Sequence, residues 1–177
     1  ASHFLGRSYP TVMATIRQDF GLDLPGSFED AYRTRLLAAF ERELQVMPHV
    51  AQALRALRLP FCVATSSSPR RAAMSLKLAG LDGLVEGRVF TASEVARGKP
   101  APDIYLYAAQ ALGVAIGDCV IIEDSPVGAT GAVASGAFVI GLAAGRHCHD
   151  GHDDLLRAKG VHAIAHDFAE VEKILFG

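Results

Sequence analysis

Apolar positions in the first third of the chain recur at helical spacing. Val12, Ile16 and Phe20 fall at i, i+4 and form one stripe, which predicts a helix broken at Gly21 and Leu24-Pro25-Gly26. A second helical run follows Ser27, from Phe28 to about Leu44, with Tyr32, Leu36, Leu37 and Phe40 on one side. Val50, Leu54 and Leu57 predict a third, shorter helix just past Pro48. The pattern changes at Phe61. Phe61-Cys62-Val63-Ala64-Thr65 is a short apolar run closed by Ser66-Ser67-Ser68-Pro69, which suits a strand buried on both faces. A helix is predicted from Arg70 to Ala79, a weaker strand from Val85 to Thr91 and a helix from Asp103 to Leu112. Cys119-Val120-Ile121-Ile122 is the strongest strand and ends at Glu123-Asp124; a helix should start at Pro126 and run to about Ser135. Phe138 to Gly141 and His162 to Ala165 read as further strands, and Ala169 to Leu175 as a closing helix.

Strands and helices alternate, with no Asn-Gly or Asp-Gly hairpin signal between strands. That order predicts a parallel α/β sheet with right-handed crossovers. In such sheets ligands bind beyond the carboxyl ends of the strands, where Thr65-Ser66-Ser67-Ser68 and Glu123-Asp124-Ser125 both fall.

Composition narrows the class. The chain has 177 residues, half of them hydrophobic, which suits one domain or a core with a small cap. The formal net charge is -2 and no basic run stands out, which argues against nucleic acid as a partner. No apolar stretch approaches the ~20 residues of a membrane span, and the first residues lack the pattern of a signal peptide. Cys62, Cys119 and Cys148 show no CxxC spacing. The first two sit in strand-like runs, where a buried reduced thiol is expected, and a cytoplasmic location fits.

Three elements carry candidate chemistry: the hydroxyl pair Thr65 and Ser66, a lysine in Gly98-Lys99-Pro100-Ala101-Pro102-Asp103, and the acidic pair Glu123 and Asp124. Thr65 and Ser66 can offer hydroxyl and backbone N–H groups to a phosphoryl oxygen. Lys99 is a point charge on a stiff loop, able to neutralise a phosphate or a carboxylate. Glu123 and Asp124 supply hard oxygen ligands suited to Mg2+, and a divalent cation relieves their mutual repulsion. Taken singly, each has an ordinary explanation: a turn and helix cap, a solvated loop lysine, an aspartate capping the next helix. Two charges closing a buried strand nevertheless need a partner, and the three elements at strand ends weigh more together.

The phrases Val63-Ala64-Thr65-Ser66-Ser67, Gly98-Lys99-Pro100-Ala101-Pro102-Asp103 and Val120-Ile121-Ile122-Glu123-Asp124-Ser125-Pro126-Val127-Gly128 resemble the second, third and fourth motifs of the haloacid dehalogenase (HAD) superfamily. The nearest resemblance is to β-phosphoglucomutase and the small sugar-phosphate phosphatases. Phe4-Leu5-Gly6-Arg7-Ser8 resembles the entry to that family's helical cap. The resemblance implies an α/β fold, a Rossmann-like parallel sheet core with a small helical cap at residues 1–48 and the core at 49–177. It further implies a Mg2+-dependent phosphatase acting on a small phosphorylated metabolite, as a monomer or homodimer. In that scheme Thr65 hydrogen-bonds the transferring phosphate and the Ser66 amide supports it. Lys99 bridges phosphate and nucleophile, Asp124 with Glu123 holds Mg2+, and Ser125 stands behind these ligands. Arg7, at the cap entrance, could grip a substrate carboxylate or a second oxyanion.

One family element is not found. The resemblance calls for an opening strand ending in Asp-x-Asp-Gly, whose first aspartate attacks phosphorus, and no Asp-x-Asp occurs in these 177 residues. The first core strand is therefore expected to be missing, leaving open edges on its neighbours. The 177-residue chain alone is expected to bind phosphate and Mg2+ weakly and to turn nothing over. A phosphomutase shares the scaffold and stays open, as does an inactive remnant that only binds. A dehalogenase is disfavoured because its relatives carry Ser-Asn-Gly where Thr65-Ser66-Ser67 stands, and the order hydroxyl, lysine, acidic pair excludes a simple phosphorelay receiver. Finally, Arg146 to Asp154 is dense in metal-ligand types. Cys148, His149 and His152 are candidate zinc ligands, although a polar loop is the favoured reading there. His3 and His49 are expected at the surface.

Overall fold

A computed structural model describes residues 9–177. Arg7, His3 and the Phe4–Ser8 stretch expected to enter the cap lie outside the described residues. The helical first third is as the periodicity predicts: α1 spans Tyr9–Phe20, α2 Phe28–Glu43 and α3 Val50–Ala56. Then follow β1 (Val63–Thr65), α4 (Pro69–Leu78), β2 (Val89–Thr91), α5 (Asp103–Leu112), β3 (Val120–Glu123), α6 (Pro126–Ser135), β4 (Phe138–Leu142), α7 (His152–Arg157), β5 (Ala163–Ala165) and α8 (Phe168–Phe176).

Every strand pair is parallel, as the alternation of strand and helix predicts. β1 pairs with β2, with Thr65 opposite Thr91. β3 pairs with β4, with Glu123 opposite Gly141, and β4 pairs with β5. Side chains of β4 alternate between the sheet faces. Val139 packs with Ile104, Tyr105 and Ala132 of α5 and α6, while Ile140 and Leu142 pack with Ala165 and with Val171 of α8. Helices thus cover both faces, the arrangement that lets a parallel sheet bury its strands. A Cβ at Gly141 would lie 2.9 Å from Ile164 Cδ1 and 3.1 Å from Leu156 Cδ1, so a larger residue there would push these side-chain ends of β5 and α7 aside.

The strands form two sheets rather than one, β1-β2 and β3-β4-β5. Among the described residues, β1 and β3 each have one edge with no strand partner. This explains a departure from the expected burial. Val120 is 43% and Ile122 38% exposed, although they sit in the most apolar strand of the chain. Cys62 and Cys119 lie just before β1 and β3 and are half-buried free thiols rather than fully buried ones. The polar stretch after β4 runs as loop and turn as far as Gly151, as expected, and its last residues enter α7 at His152. Among the described residues no helix is long and apolar enough to cross a membrane.

Candidate active site

Thr65 is the last residue of β1 and Glu123 the last of β3, so the parallel sheets bring both to their carboxyl-terminal rims. Lys99 joins the two. Its ammonium lies 2.7 Å from Glu123 Oε2 and donates to the Ala64 carbonyl at 3.2 Å. The lysine and glutamate side chains are 7% and 8% exposed. A buried pair of this kind holds only if its remaining polar atoms are satisfied. Here they are: the Tyr105 hydroxyl lies 2.8 Å from Glu123 Oε2, and the Ser125 amide and hydroxyl donate to Oε1 at 3.1 and 2.8 Å. Burial pushes the Glu123 carboxyl up, but the Lys99 charge and these hydrogen bonds outweigh it and hold Glu123 below the ordinary value. Gly128 makes the arrangement possible. A Cβ there would lie 2.1 Å from Glu123 Cδ.

Asp124 has the opposite environment. Its side chain is half exposed (51%) to the cleft, and its Oδ2 lies 3.2 Å from His147 Nε2. Partial burial and the neighbouring Glu123 charge raise its carboxyl, while His147 lowers it. Ser125 caps α6, accepting from the Gly128 amide at 3.0 Å while holding Glu123. Thr65 Oγ1 accepts from the Ser67 amide at 3.1 Å, which leaves its own proton free to donate. The Ser66 hydroxyl is buried and has no hydrogen-bond partner among the described residues. A buried hydroxyl in that state costs free energy unless a ligand completes it.

These groups floor one cleft of about 790 Å³, lined also by Ser67, Arg71 and His147. Its other wall comes from Tyr9, Val12, Met13 and Ile16 of α1 and from Phe28, Tyr32 and Phe40 of α2. The Val12–Ile16 stripe therefore faces a cleft rather than a core, and neither helix contains a buried residue. Phe20, the third member of that stripe, is exposed.

Thr65, Ser66, Lys99, Glu123, Asp124 and Ser125 are thus brought together. The difference lies in how the acidic pair divides. Both oxygens of Glu123 are taken by protein donors, which leaves Asp124 as the carboxylate open to the cleft. Tyr105, Arg71 and His147 were not singled out from the sequence as part of this site. Only Tyr105 left a signal, as a tyrosine on an otherwise apolar helix face, where a buried hydroxyl must find a partner.

Residues 3–136 match the family model described as haloacid dehalogenase-like hydrolase. The chain belongs to that family. Within the HAD-like hydrolases it is 37% identical over 114 residues to hexitol phosphatase A of Escherichia coli, covering 64% of this chain and 50% of that protein. It is 40% identical over 133 residues to the probable pseudouridine-5'-phosphatase of Drosophila melanogaster, covering 67% and 55%. The chain spans about half the length of the curated relatives it matches. A HAD-like protein of unknown function from Agrobacterium tumefaciens superposes with a TM-score of 0.82 at 28% identity, covering 97% of this chain and 78% of that one. A HAD family hydrolase from Deinococcus radiodurans, solved with bound phosphate and sodium, gives 0.77 at 34% identity, with 97% and 76% covered.

Proposed function

We propose that this chain belongs to a Mg2+-dependent phosphatase of small phosphorylated sugars or sugar acids. The observation that carries the reading is the convergence of one free hydroxyl proton (Thr65), one orphaned buried hydroxyl (Ser66), one buried ammonium (Lys99) and one open carboxylate (Asp124) on the floor of a single cleft. Thr65 and Ser66 would donate to the phosphoryl oxygens at the start of α4, whose N-terminal dipole favours an anion. Lys99 would neutralise charge developing on phosphorus or on the attacking group, and Glu123 would act as the positioning residue that fixes its ammonium.

The donor set suits Mg2+: a hard, partly solvated carboxylate leaves room for the waters this ion keeps. Asp124 would hold it, and when bound it supplies positive charge at the phosphoryl oxygens. The nucleophile is assigned to an aspartate outside residues 9–177, on a strand that would pair with the open edges of β1 and β3. Attack on phosphorus would form the aspartyl O–P bond, break the P–O bond to the substrate and release the dephosphorylated alcohol once its oxygen takes up a proton; water would then cleave the aspartyl-phosphate to the free acid and phosphate. Helices α1 and α2, within the cap at residues 1–48, would shield the phosphate from bulk water and contact the rest of the substrate, over a core at 49–177. The partner is a small metabolite, met by a cytoplasmic monomer or homodimer. The names of the relatives, a hexitol phosphatase and a 6-phosphogluconate phosphatase of Escherichia coli among them, support the substrate class.

The test is phosphate release from a panel of hexitol, pentose and sugar-acid phosphates. The complete product of the gene and its Lys99→Ala variant are compared with and without Mg2+. Release that needs both Lys99 and Mg2+ is expected, and equal release by the variant would overturn the reading. A match to β-phosphoglucomutase of Bacillus subtilis, 42% identical over 52 residues, keeps the phosphomutase alternative. That alternative predicts isomerised sugar phosphate without free phosphate.

A further inference from the structure

The chemistry proposed above uses neither Cys148 nor His152, yet the fold gathers them beside Asp124. One ligand atom each from His147, Cys148 and His152 lies within 4.8 Å of the others, and His152 is buried. His147 Nε2 lies 3.6 Å from Cys148 Sγ and 3.2 Å from Asp124 Oδ2. In a tetrahedral zinc site, bond lengths of about 2.1 Å to nitrogen and 2.3 Å to sulfur put neighbouring N and S ligands about 3.6 Å apart, and N and O ligands about 3.4 Å apart. Two edges of such a tetrahedron are therefore already close to size, and the third residue has at most about 1 Å to close.

The surroundings favour ligation as well. His152 Nε2 lies 2.7 Å from the Asp124 carbonyl. A carbonyl only accepts, so Nε2 carries the proton and the lone pair is on Nδ1. This is the outer hydrogen bond that usually orients a metal-bound histidine. The His147 and His152 rings stand perpendicular with centroids 5.7 Å apart. Gly145 leaves room for the first ring, since a Cβ there would lie 2.4 Å from His147 Cε1. The sequence pattern had suggested His149 beside Cys148 and His152, but the turn into α7 brings His147 to the cluster instead.

We propose that His147, Cys148 and His152 form a site for a borderline-soft divalent cation, zinc by its donor set, with the Asp124 carboxylate as fourth ligand. Two nitrogens and a thiolate distinguish it from the all-oxygen chemistry suited to Mg2+. The zinc site stands on its own geometry. Only its consequence, that zinc bound there takes Asp124 away from Mg2+ and so inhibits, rests on the proposed function.

The test uses Co2+ as an optical stand-in for zinc, added to the metal-free 177-residue chain. One Co2+ per chain is expected, with a thiolate-to-cobalt charge-transfer band and the intense visible bands of tetrahedral cobalt, both abolished by one equivalent of Zn2+. A Cys62→Ser/Cys119→Ser variant should keep the band and Cys148→Ser should lose it, while His147→Gln should weaken binding about 10-fold or more. No band in the parent chain, or a band that survives Cys148→Ser, would overturn the proposal. Should Cys148→Ser fail to fold by circular dichroism, unchanged cobalt affinity in His147→Gln overturns it equally. None of these readouts involves phosphate release, so failure of the phosphatase reading leaves the zinc result interpretable.

Discussion

Replacing Lys99 with methionine keeps the aliphatic stem and removes the charge that compensates Glu123. At 2.7 Å and an effective dielectric of about 20, the pair attracts by about 6 kcal/mol at the outside. Removing the lysine also removes its own desolvation cost, and Glu123 keeps donors from Tyr105 and Ser125. The net loss should therefore fall at about 3–5 kcal/mol, the range for breaking one partner out of a buried pair. About 1 kcal/mol of it comes from the Ala64 carbonyl, which loses its Lys99 donor. Glu123→Gln in the same chain removes the stranded charge, so the double variant should recover part of the loss, with a coupling energy of about 2–3 kcal/mol. The assay is urea unfolding of the four chains at neutral pH. Repeating it in acid adds a sign. In the parent, Glu123 sits below its unfolded pKa, so its contribution is full above that value and is lost as pH falls through the folded one. In Lys99→Met the uncompensated carboxylate destabilises only when ionised, so the gap between the two chains should narrow on acidification. A loss under about 1 kcal/mol, or additivity in the cycle, would refute the claim that this pair organises the site.

Asp124→Asn should raise the thermal midpoint at neutral pH while weakening Mg2+ binding, measured by calorimetry. The Asp124 carboxyl is raised by burial and by Glu123, so the aspartate costs stability as pH climbs from its unfolded pKa through the folded one, and the gain from asparagine should vanish in acid. Tyr105→Phe removes a hydroxyl 2.8 Å from Glu123 and 3.1 Å from the Gly128 carbonyl, and should cost about 1–3 kcal/mol in urea unfolding with little change in secondary structure. Gly131→Ala would set a Cβ 2.8 Å from the Pro100 carbonyl oxygen and 2.9 Å from that of Ala101. It should destabilise by about 1–3 kcal/mol and, in the complete gene product, reduce phosphate release from outside the cleft by shifting the Lys99 loop. Unaltered stability and activity there would show the loop to be compliant.

Much of the fold was legible because two periods dominate the chain. The helices at Asp103–Leu112 and Pro126–Ser135 begin and end where pattern, proline and glycine predict. Strand starts were less legible. β1 begins at Val63 and β2 at Val89, because the apolar residues before them pack as loop and turn; Val85 is buried without being in a strand. Helix α7 was hidden because His152-Asp153-Asp154 looks polar, whereas His152 and Leu156 turn inward one helical turn apart. The candidate residues were legible as a set, since Thr65 and Glu123 each end a strand, at the carboxyl-terminal rims of two parallel sheets that meet through Lys99. Their division of labour was not. Nothing in the letters Glu-Asp says which carboxylate meets a lysine from 24 residues upstream and a tyrosine from 18 residues upstream.

That division has an electrostatic logic. Consecutive residues at a strand end point in different directions, so Glu123 enters the core beneath the rim while Asp124 faces the cleft. The Lys99 charge is thereby already matched, and these three groups together leave the cleft floor with one net negative charge. A phosphoryl dianion entering such a floor meets hydroxyl donors and a helix N-terminus, but no unmatched cation among the three. Under the proposed function Arg71 on the cleft wall supplies one positive charge, and an ion on Asp124 would add more, since a divalent cation more than offsets the carboxylate. The two adjacent acids shift in opposite directions for this reason: both are raised by burial, but the Lys99 charge and its hydrogen bonds bring Glu123 down, whereas Asp124 is raised further by Glu123 and only partly offset by His147.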